Sequence, residues 1–240
     1  MSMKPTVYLF DLYGTLADVH TDESMPALWI GAAEDACACG ASYTAETYRA
    51  AYLRLCEEEV QIRAKTLPDV PKRYVEPELL RVFERLLTER GAGKDAAPAI
   101  ARRFRERSTL HLRPFPNVLE TLDALRRAGK RVYLLSNAQS CFTNDELKKL
   151  DLAERLDGVL LSSDAGMKKP YRGLYELLLA RFAIDRDTAV MVGNDKDADM
   201  RGAHEAGIVG AYIHTWQSGE RPESLPDGCF EIKDLSELCK

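Results

Sequence analysis

The chain is 240 residues long, 45% hydrophobic and 30% charged, with a formal net charge of −5 at pH 7. That length suits one large domain or a core carrying a smaller insert, and the composition is that of an ordinary soluble globular protein. The acidic balance argues against nucleic acid or an anionic membrane as the main partner, and no apolar run approaches the ~20 residues of a membrane span. With no leader-like stretch before the first strand, the chain is expected to be cytoplasmic.

The first ten residues after Thr6 set the pattern. Val7-Tyr8-Leu9-Phe10 reads as a short buried strand, and it delivers Asp11 into the turn Leu12-Tyr13-Gly14-Thr15. From residue 17 to residue 113 the chain then reads as helix after helix. Tyr48, Tyr52, Leu55 and Cys56 form one apolar stripe, and Leu79, Leu80, Phe83, Leu86 and Leu87 form a second that Gly91 closes. Residues 97–108 make a third helix, and Thr66-Leu67-Pro68-Asp69-Val70-Pro71 is a breaker between the first two.

From Pro114 the pattern becomes strand and helix in turn. Asn117 and Glu120 have capping-box spacing at the start of a helix that Gly129 ends. Strands are expected over residues 131–135, 158–161, 188–192 and 209–213, with a last short one over 229–232. A helix carrying Leu174, Leu177, Leu178 and Phe182 precedes the third of these, and another follows it and ends at Gly207. Strands alternating with helices predict a doubly wound parallel sheet. The six cysteines (Cys37, Cys39, Cys56, Cys141, Cys229 and Cys239) and four histidines lack metal-ligand spacing and are given no role.

Four segments then stand at four strand ends: Asp11 to Thr15, Ser136-Asn137, Lys168-Lys169-Pro170, and Gly193-Asn194-Asp195 with Asp199. Together they hold what carboxylate attack on an anionic substrate needs. Asp11 can form an aspartyl ester, while Ser136 and Lys169 can donate to oxygens gaining negative charge. Asp195 and Asp199 with Asp11 make an oxygen-rich cluster of the kind Mg²⁺ prefers, and a lysine among them limits their repulsion.

This ordered set resembles the haloacid dehalogenase superfamily, over residues 1–16 and 114–240, with residues 17–113 placed where that family carries a helical cap domain. The resemblance implies a Rossmann-like α/β core and Asp11 as nucleophile. It implies that Thr15 steadies the turn, that Ser136 binds the transferring group with Asn137 beside it, and that Lys169 rather than Lys168 balances charge. In Mg²⁺-dependent members the main-chain carbonyl of Tyr13 would be a metal ligand. Cap motion is expected about residues 17–18 and 113–114.

Two positions depart from the family's phosphatases. They carry a second acid two residues after the nucleophile, where this chain has Tyr13, a poor base at neutral pH. Tyrosine is instead what 2-haloacid dehalogenases show there. Those enzymes use an early cap arginine, however, and this chain has no lysine or arginine between Gly14 and Tyr48; nothing in the sequence promotes Arg49, Arg54 or Arg63 to that task. In the last motif Asn194 takes the place of the usual acid, which leaves Asn194, Asp195 and Asp199 as alternative ligands. Arg102, Arg103, Arg105 and Arg107 read as a solvated face, with attraction of phosphorylated substrates as the alternative.

The resulting expectation is a Mg²⁺-dependent hydrolase of a small phosphorylated metabolite, as monomer or homodimer. A 2-haloacid dehalogenase, or a catalytically weak member that binds a metabolite or partner, is the alternative.

Overall fold

Residues 5–239 are described by the computed structural model of the chain. Strand β1 (Val7–Phe10) is followed by β2 (Ala17–Thr21) and the helices α1 (Pro26–Ala38), α2 (Ala45–Thr66), α3 (Leu79–Thr88) and α4 (Ala97–Ser108). Strand β3 (Thr109–Pro114) returns the chain to α5 (Val118–Arg127), β4 (Arg131–Ser136), α6 (Ser140–Lys149) and β5 (Gly158–Leu161). The rest is α7 (Ser162–Ala165), α8 (Arg172–Arg181), β6 (Ala189–Gly193), a π-helical turn over Lys196–Arg201, α9 (Gly202–Glu205), β7 (Val209–Ile213) and β8 (Cys229–Ile232).

Six strands form one parallel sheet in the order β5-β4-β1-β6-β7-β8. β1 lies in the middle and is apolar throughout because both of its faces are covered. Its side chains alternate as strand geometry requires. Tyr8 and Phe10 join Leu122, Leu125 and Val192 on one face, whereas Val7 and Leu9 join Leu174, Leu178 and Met191 on the other. This is the expected doubly wound α/β core.

Helices α1 to α4 build a separate apolar cluster on aromatic side chains. Phe104 packs 5.5 Å from Trp29, 5.2 Å from Tyr52 and 5.5 Å from Phe83, measured between ring centroids. Phe142 of α6 enters the same cluster, 6.2 Å from Phe83, so the bundle rests directly on the sheet domain's helix.

The stretch read as wholly helical begins and ends in strands. β2 and β3 pair antiparallel, with Ala17 opposite Pro114, Asp18 opposite Arg113 and His20 opposite His111. The two expected hinge positions are therefore neighbours in one ribbon. Its strands are only five and six residues long and carry charges on one side, too little to stand out from helix. Asp18 is buried there, with His111 Nε2 at 2.9 Å and donation from Arg113 Nε at 2.8 Å and Trp216 Nε1 at 2.9 Å. Burial pushes its carboxyl up, but these partners more than reverse that and hold it below the ordinary carboxylate value.

Two local expectations also change. Asn117 adopts φ +62° and turns its amide to Asp234, so it makes no capping box. Leu177 is exposed, and Tyr175 takes the inward place on α8.

Phe83 contributes to the aromatic contacts of α2, α4 and α6 at once. Phe83→Ala should cost about 3–5 kcal/mol, lowering the calorimetric melting temperature by roughly 6–20 °C.

Candidate active site

Asp11 follows β1, Ser136 ends β4 and Asn194 follows β6. Lys169 lies on the loop after β5 and α7. All sit beyond the carboxyl ends of neighbouring parallel strands, where an open sheet leaves a crevice. They share a pocket of about 210 Å³ whose lining includes Tyr13, Asn137, Asp195, Asp199 and Gln217. Larger cavities lie at the seam of α4 and α6 and behind β8, but neither joins a nucleophile to a buried cation.

At the centre, Lys169 Nζ donates to Asp11 Oδ1 at 2.7 Å and to Asp199 Oδ1 at 2.6 Å. Lys169 is only 3% exposed and Asp199 only 1%. Burial works against the lysine's charge, but the two carboxylates more than offset it and raise its pKa. Burial pushes the Asp199 carboxyl up to about 7, even though Lys169 pulls it back. The second oxygen of Asp199 accepts from the Asp195 amide at 2.9 Å. Gly193 makes room for this side chain, since a Cβ there would fall 2.2 Å from Asp199 Oδ2.

Ser136 Oγ donates to Asp11 Oδ1 at 3.1 Å. Asn137, expected to serve substrate, spends its amide on the main chain of Lys169: Nδ2 donates to the carbonyl at 3.0 Å and Oδ1 accepts from the amide at 2.7 Å. It is a clasp that fixes where the lysine leaves its loop.

The expected metal set of Asp11, Tyr13, Asn194, Asp195 and Asp199 is divided by these contacts. Asp195 Oδ1 caps the π-helical turn through the amides of Asp197 and Ala198, both at 2.8 Å. Asp199 is taken by Lys169. Among the described residues no group of three or more His, Cys, Asp or Glu side chains is arranged to hold a metal ion. What converges instead is Asp11 Oδ2 and Asn194 Oδ1, at 3.4 and 3.2 Å from the single hydroxyl of Thr15. That hydroxyl has one proton to give, so the two oxygens together remain under-supplied with donors.

Tyr13 turns its hydroxyl away from Asp11. It donates to Glu146 Oε2 at 2.5 Å and lies 3.0 Å from Thr143 Oγ1. Burial and the Glu146 charge raise its pKa above the ordinary phenol value, so it stays neutral. Glu146 in turn accepts from Arg105 Nε at 2.6 Å, and the guanidinium lies 5.4 Å from the centroid of the Tyr13 ring. Arg105 is thus withdrawn from the solvated face expected for the run, while Arg103 and Arg107 pair with Asp35. Of the other arginines considered, Arg63 reaches the carbonyls of Ser163 and Glu76, Arg54 pairs with Glu58 and Glu89, and Arg49 lies over Trp29. None of them lines the pocket.

Sequence reasoning missed Glu146 and Thr143, which meet Tyr13 only through the fold, and Gln217, which stands in a turn-rich tail without any motif.

A family model described as a haloacid dehalogenase-like hydrolase matches residues 5–207. The chain is 32% identical over 159 residues to a phosphoserine phosphatase of Thermus thermophilus, covering 66% of this chain and 62% of that relative, so it spans under two thirds of that relative's length. It is 29% identical over 192 residues to a glyceraldehyde 3-phosphate phosphatase of Methanopyrus kandleri, covering 77% and 79%. A 2-haloacid dehalogenase from Pseudomonas syringae shares the fold, with a TM-score of 0.65 and 24% identity over 98% of this chain and 96% of that one.

Lys169→Met should cost about 3–5 kcal/mol at pH 8, because it leaves two buried carboxylates facing each other without a cation. Asp199, already pushed up to about 7 with the ammonium in place, is pushed higher without it, so stability returns as pH falls and a proton replaces the missing charge. Urea denaturation at pH 8 and pH 5 should show the smaller loss at pH 5.

Proposed function

The chain belongs to the haloacid dehalogenase-like hydrolases, and on that premise we propose that it is a phosphatase of a small phosphorylated metabolite, with Asp11 as nucleophile. The observation that carries this reading is the buried Lys169 ammonium, 2.7 Å from Asp11 and beside the Ser136 hydroxyl. A fixed cation and a fixed hydroxyl next to a carboxylate suit the charged oxygens of a phosphoryl group. The phosphatase names of the two curated relatives agree with it.

Asp11 attacks phosphorus and displaces the alcohol, while Lys169 and Ser136 stabilise the charge on the phosphoryl oxygens. Water then cleaves the aspartyl phosphate and regenerates Asp11. Of the three acids lining the pocket, Asp11 is the nucleophile and Asp199 is held by Lys169, which leaves Asp195 to assist that water. Tyr13 has no part in proton transfer. The leaving group consequently departs without a strong acid, which favours esters whose alcohol leaves readily.

Asp11 and Asn194 form a donor set that fits a magnesium ion retaining much of its own water, with the Tyr13 carbonyl as the further donor the family suggests. When bound, such an ion supplies positive charge against the phosphoryl oxygens. Asp195 and Asp199 are not part of this set.

Residues 1–16 and 114–240 are proposed as the catalytic core and residues 17–113 as a cap that selects substrate. Tyr13 alone favours a 2-haloacid dehalogenase, and the absence of any arginine from the pocket lining weighs against it.

Phosphate release from a panel of small esters should require both Mg²⁺ and Asp11. Chelator should abolish it, and Asp11→Asn should lower kcat by ~10⁴-fold or more. Halide release from haloacids that persists in chelator would replace this reading with the dehalogenase one. Tyr13→Phe should lower kcat by far less than the ~10²-fold that loss of a general acid costs; a larger drop would restore a proton-transfer role to the phenol.

A further inference from the structure

The segment between α2 and α3 lies against both of the loops that carry catalytic groups. Beside the loop of Lys169 it pairs as a short antiparallel strand, with Val75 opposite Met167. The Glu76 amide donates to the Gly166 carbonyl at 2.9 Å, and the Lys168 amide donates to the Tyr74 carbonyl at 2.9 Å. Tyr171 Oη donates to the Asp69 carbonyl at 3.1 Å, and its ring stacks 5.7 Å from that of Tyr74. Arg63, near the end of α2, donates to the Ser163 carbonyl at 2.5 Å. The other loop is met through Gln139, three residues past Ser136. Its Nε2 donates to Glu76 Oε1 at 2.8 Å and to the Pro77 carbonyl at 2.9 Å, while its Oε1 accepts from the Leu79 amide at 2.9 Å.

This strap is one of three attachments between the helical segment and the sheet domain. The second is the α4–α6 seam, where Arg105 meets Glu146 at 2.6 Å and Phe142 enters the aromatic cluster. The third grips the ribbon itself. Trp216 Nε1 donates to Asp18 at 2.9 Å and Gln217 Nε2 to the Val19 carbonyl at 3.0 Å, so the expected hinge is tied to the loop after β7.

A swing of α1 to α4 about the ribbon would break all seven hydrogen bonds of the strap together. At the twofold that even a weak net hydrogen bond contributes, seven hold an open form down by roughly 10²-fold. The Arg105–Glu146 pair and the burial of Phe142 add to that. The chemistry sets the same limit, because Lys169 directly follows Lys168, and an ammonium buried between carboxylates stays favourable only while its geometry is kept. No residue between Thr21 and Thr109 lines the pocket, so entry does not require that segment to lift.

We propose that the helical segment is a fixed support for the two catalytic loops and not a lid that swings in each turnover. Residues 17–18 and 113–114 are then a closed joint, and substrate reaches Asp11 with the strap in place. The proposal goes beyond the phosphatase reading and holds whichever bond Asp11 attacks.

The test locks the strap shut. Val75 and Met167 face each other without a hydrogen bond between them, a pairing whose Cα separation of about 4.5 Å is within the span of a disulfide. In Val75→Cys/Met167→Cys, p-nitrophenyl phosphate hydrolysis with Mg²⁺ is compared before and after oxidation, with bridging checked by mass and the native chain oxidised in parallel. Relative to that reference, kcat/KM of the bridged form should stay within about threefold of the reduced form. A larger loss that reductant restores overturns the proposal. Hydrogen exchange in the native chain gives a second reading, independent of the variant. The Glu76 and Lys168 amides should exchange more than about 10²-fold slower than in an unstructured chain; faster exchange overturns the proposal. If no phosphate ester is turned over, the phosphatase reading fails by itself, and halide release from 2-chloropropionate is followed in the same pair of forms. If that too is silent, the exchange rates decide alone.

Discussion

A single ammonium group, buried between two carboxylates, sets the conditions for everything around it. Lys169 gives up its hydration to sit 2.7 Å from Asp11 and 2.6 Å from Asp199. Removal of charges from water is costly unless partners are close and correctly aimed. The neighbouring features follow from that demand. Asn137 clasps the lysine's main chain at both polar groups, Gly193 leaves space for Asp199, and the Asp195 amide occupies the oxygen of Asp199 that the lysine does not. Asn137 follows β4, while Gly193 and Asp195 stand at the end of β6, so the register of the parallel sheet and the geometry of the ion triad specify each other.

The same triad explains why the acids here are not interchangeable. Asp199 is the most buried and the most perturbed, and its task is to hold Lys169. Asp195 lies exposed at the rim, held by the turn it caps. Asp11 keeps one oxygen with a single long contact to Thr15. Three carboxylates within one pocket therefore differ in reactivity through their neighbours, a division that pairwise sequence spacing does not express. Tyr13 extends the pocket's influence outward, since its phenol, Glu146 and Arg105 make a continuous chain from the catalytic turn to α4. A shift of α4 relative to α6 would be felt at the residue two positions from Asp11.

Much of this was legible in the sequence, and for physical reasons. Strands buried on both faces leave unbroken apolar runs, so β1, β4, β6 and β7 stand out, and three of the four polar segments directly follow β1, β4 and β6. Residues that act through backbone geometry or local charge, such as Asp11, Ser136 and Lys169, keep their motif neighbours, and all three line the one pocket. What sequence reading lacked was direction. Asp195 and Asp199 are four residues apart on one turn, yet one caps it and the other turns inward. Asn117 has capping-box spacing but a left-handed backbone. The β2–β3 ribbon pairs segments some ninety residues apart, and neither half is long enough to declare itself. Gln217, Glu146 and Arg105 gain meaning only from long-range contacts.

The ribbon has one more consequence. With Ala17 opposite Pro114 and Asp18 opposite Arg113, the chain leaves the sheet domain and re-enters it a single strand spacing away. Adjacent antiparallel strands bring their Cα atoms within ~4.5–5.5 Å. To the sheet domain, everything between Thr21 and Thr109 is therefore one closed loop, whose closure is already made by the ribbon. Loop-closure entropy grows only with the logarithm of length, about 0.6 kcal/mol per doubling. Replacement of α1 to α4 by a longer bundle, or by a two-residue hairpin turn, alters that term by only a few kcal/mol. In loop-closure entropy the sheet is thus nearly indifferent to the length of chain the ribbon carries, and what ties the two together is contact, through Phe142 and the Arg105–Glu146 pair.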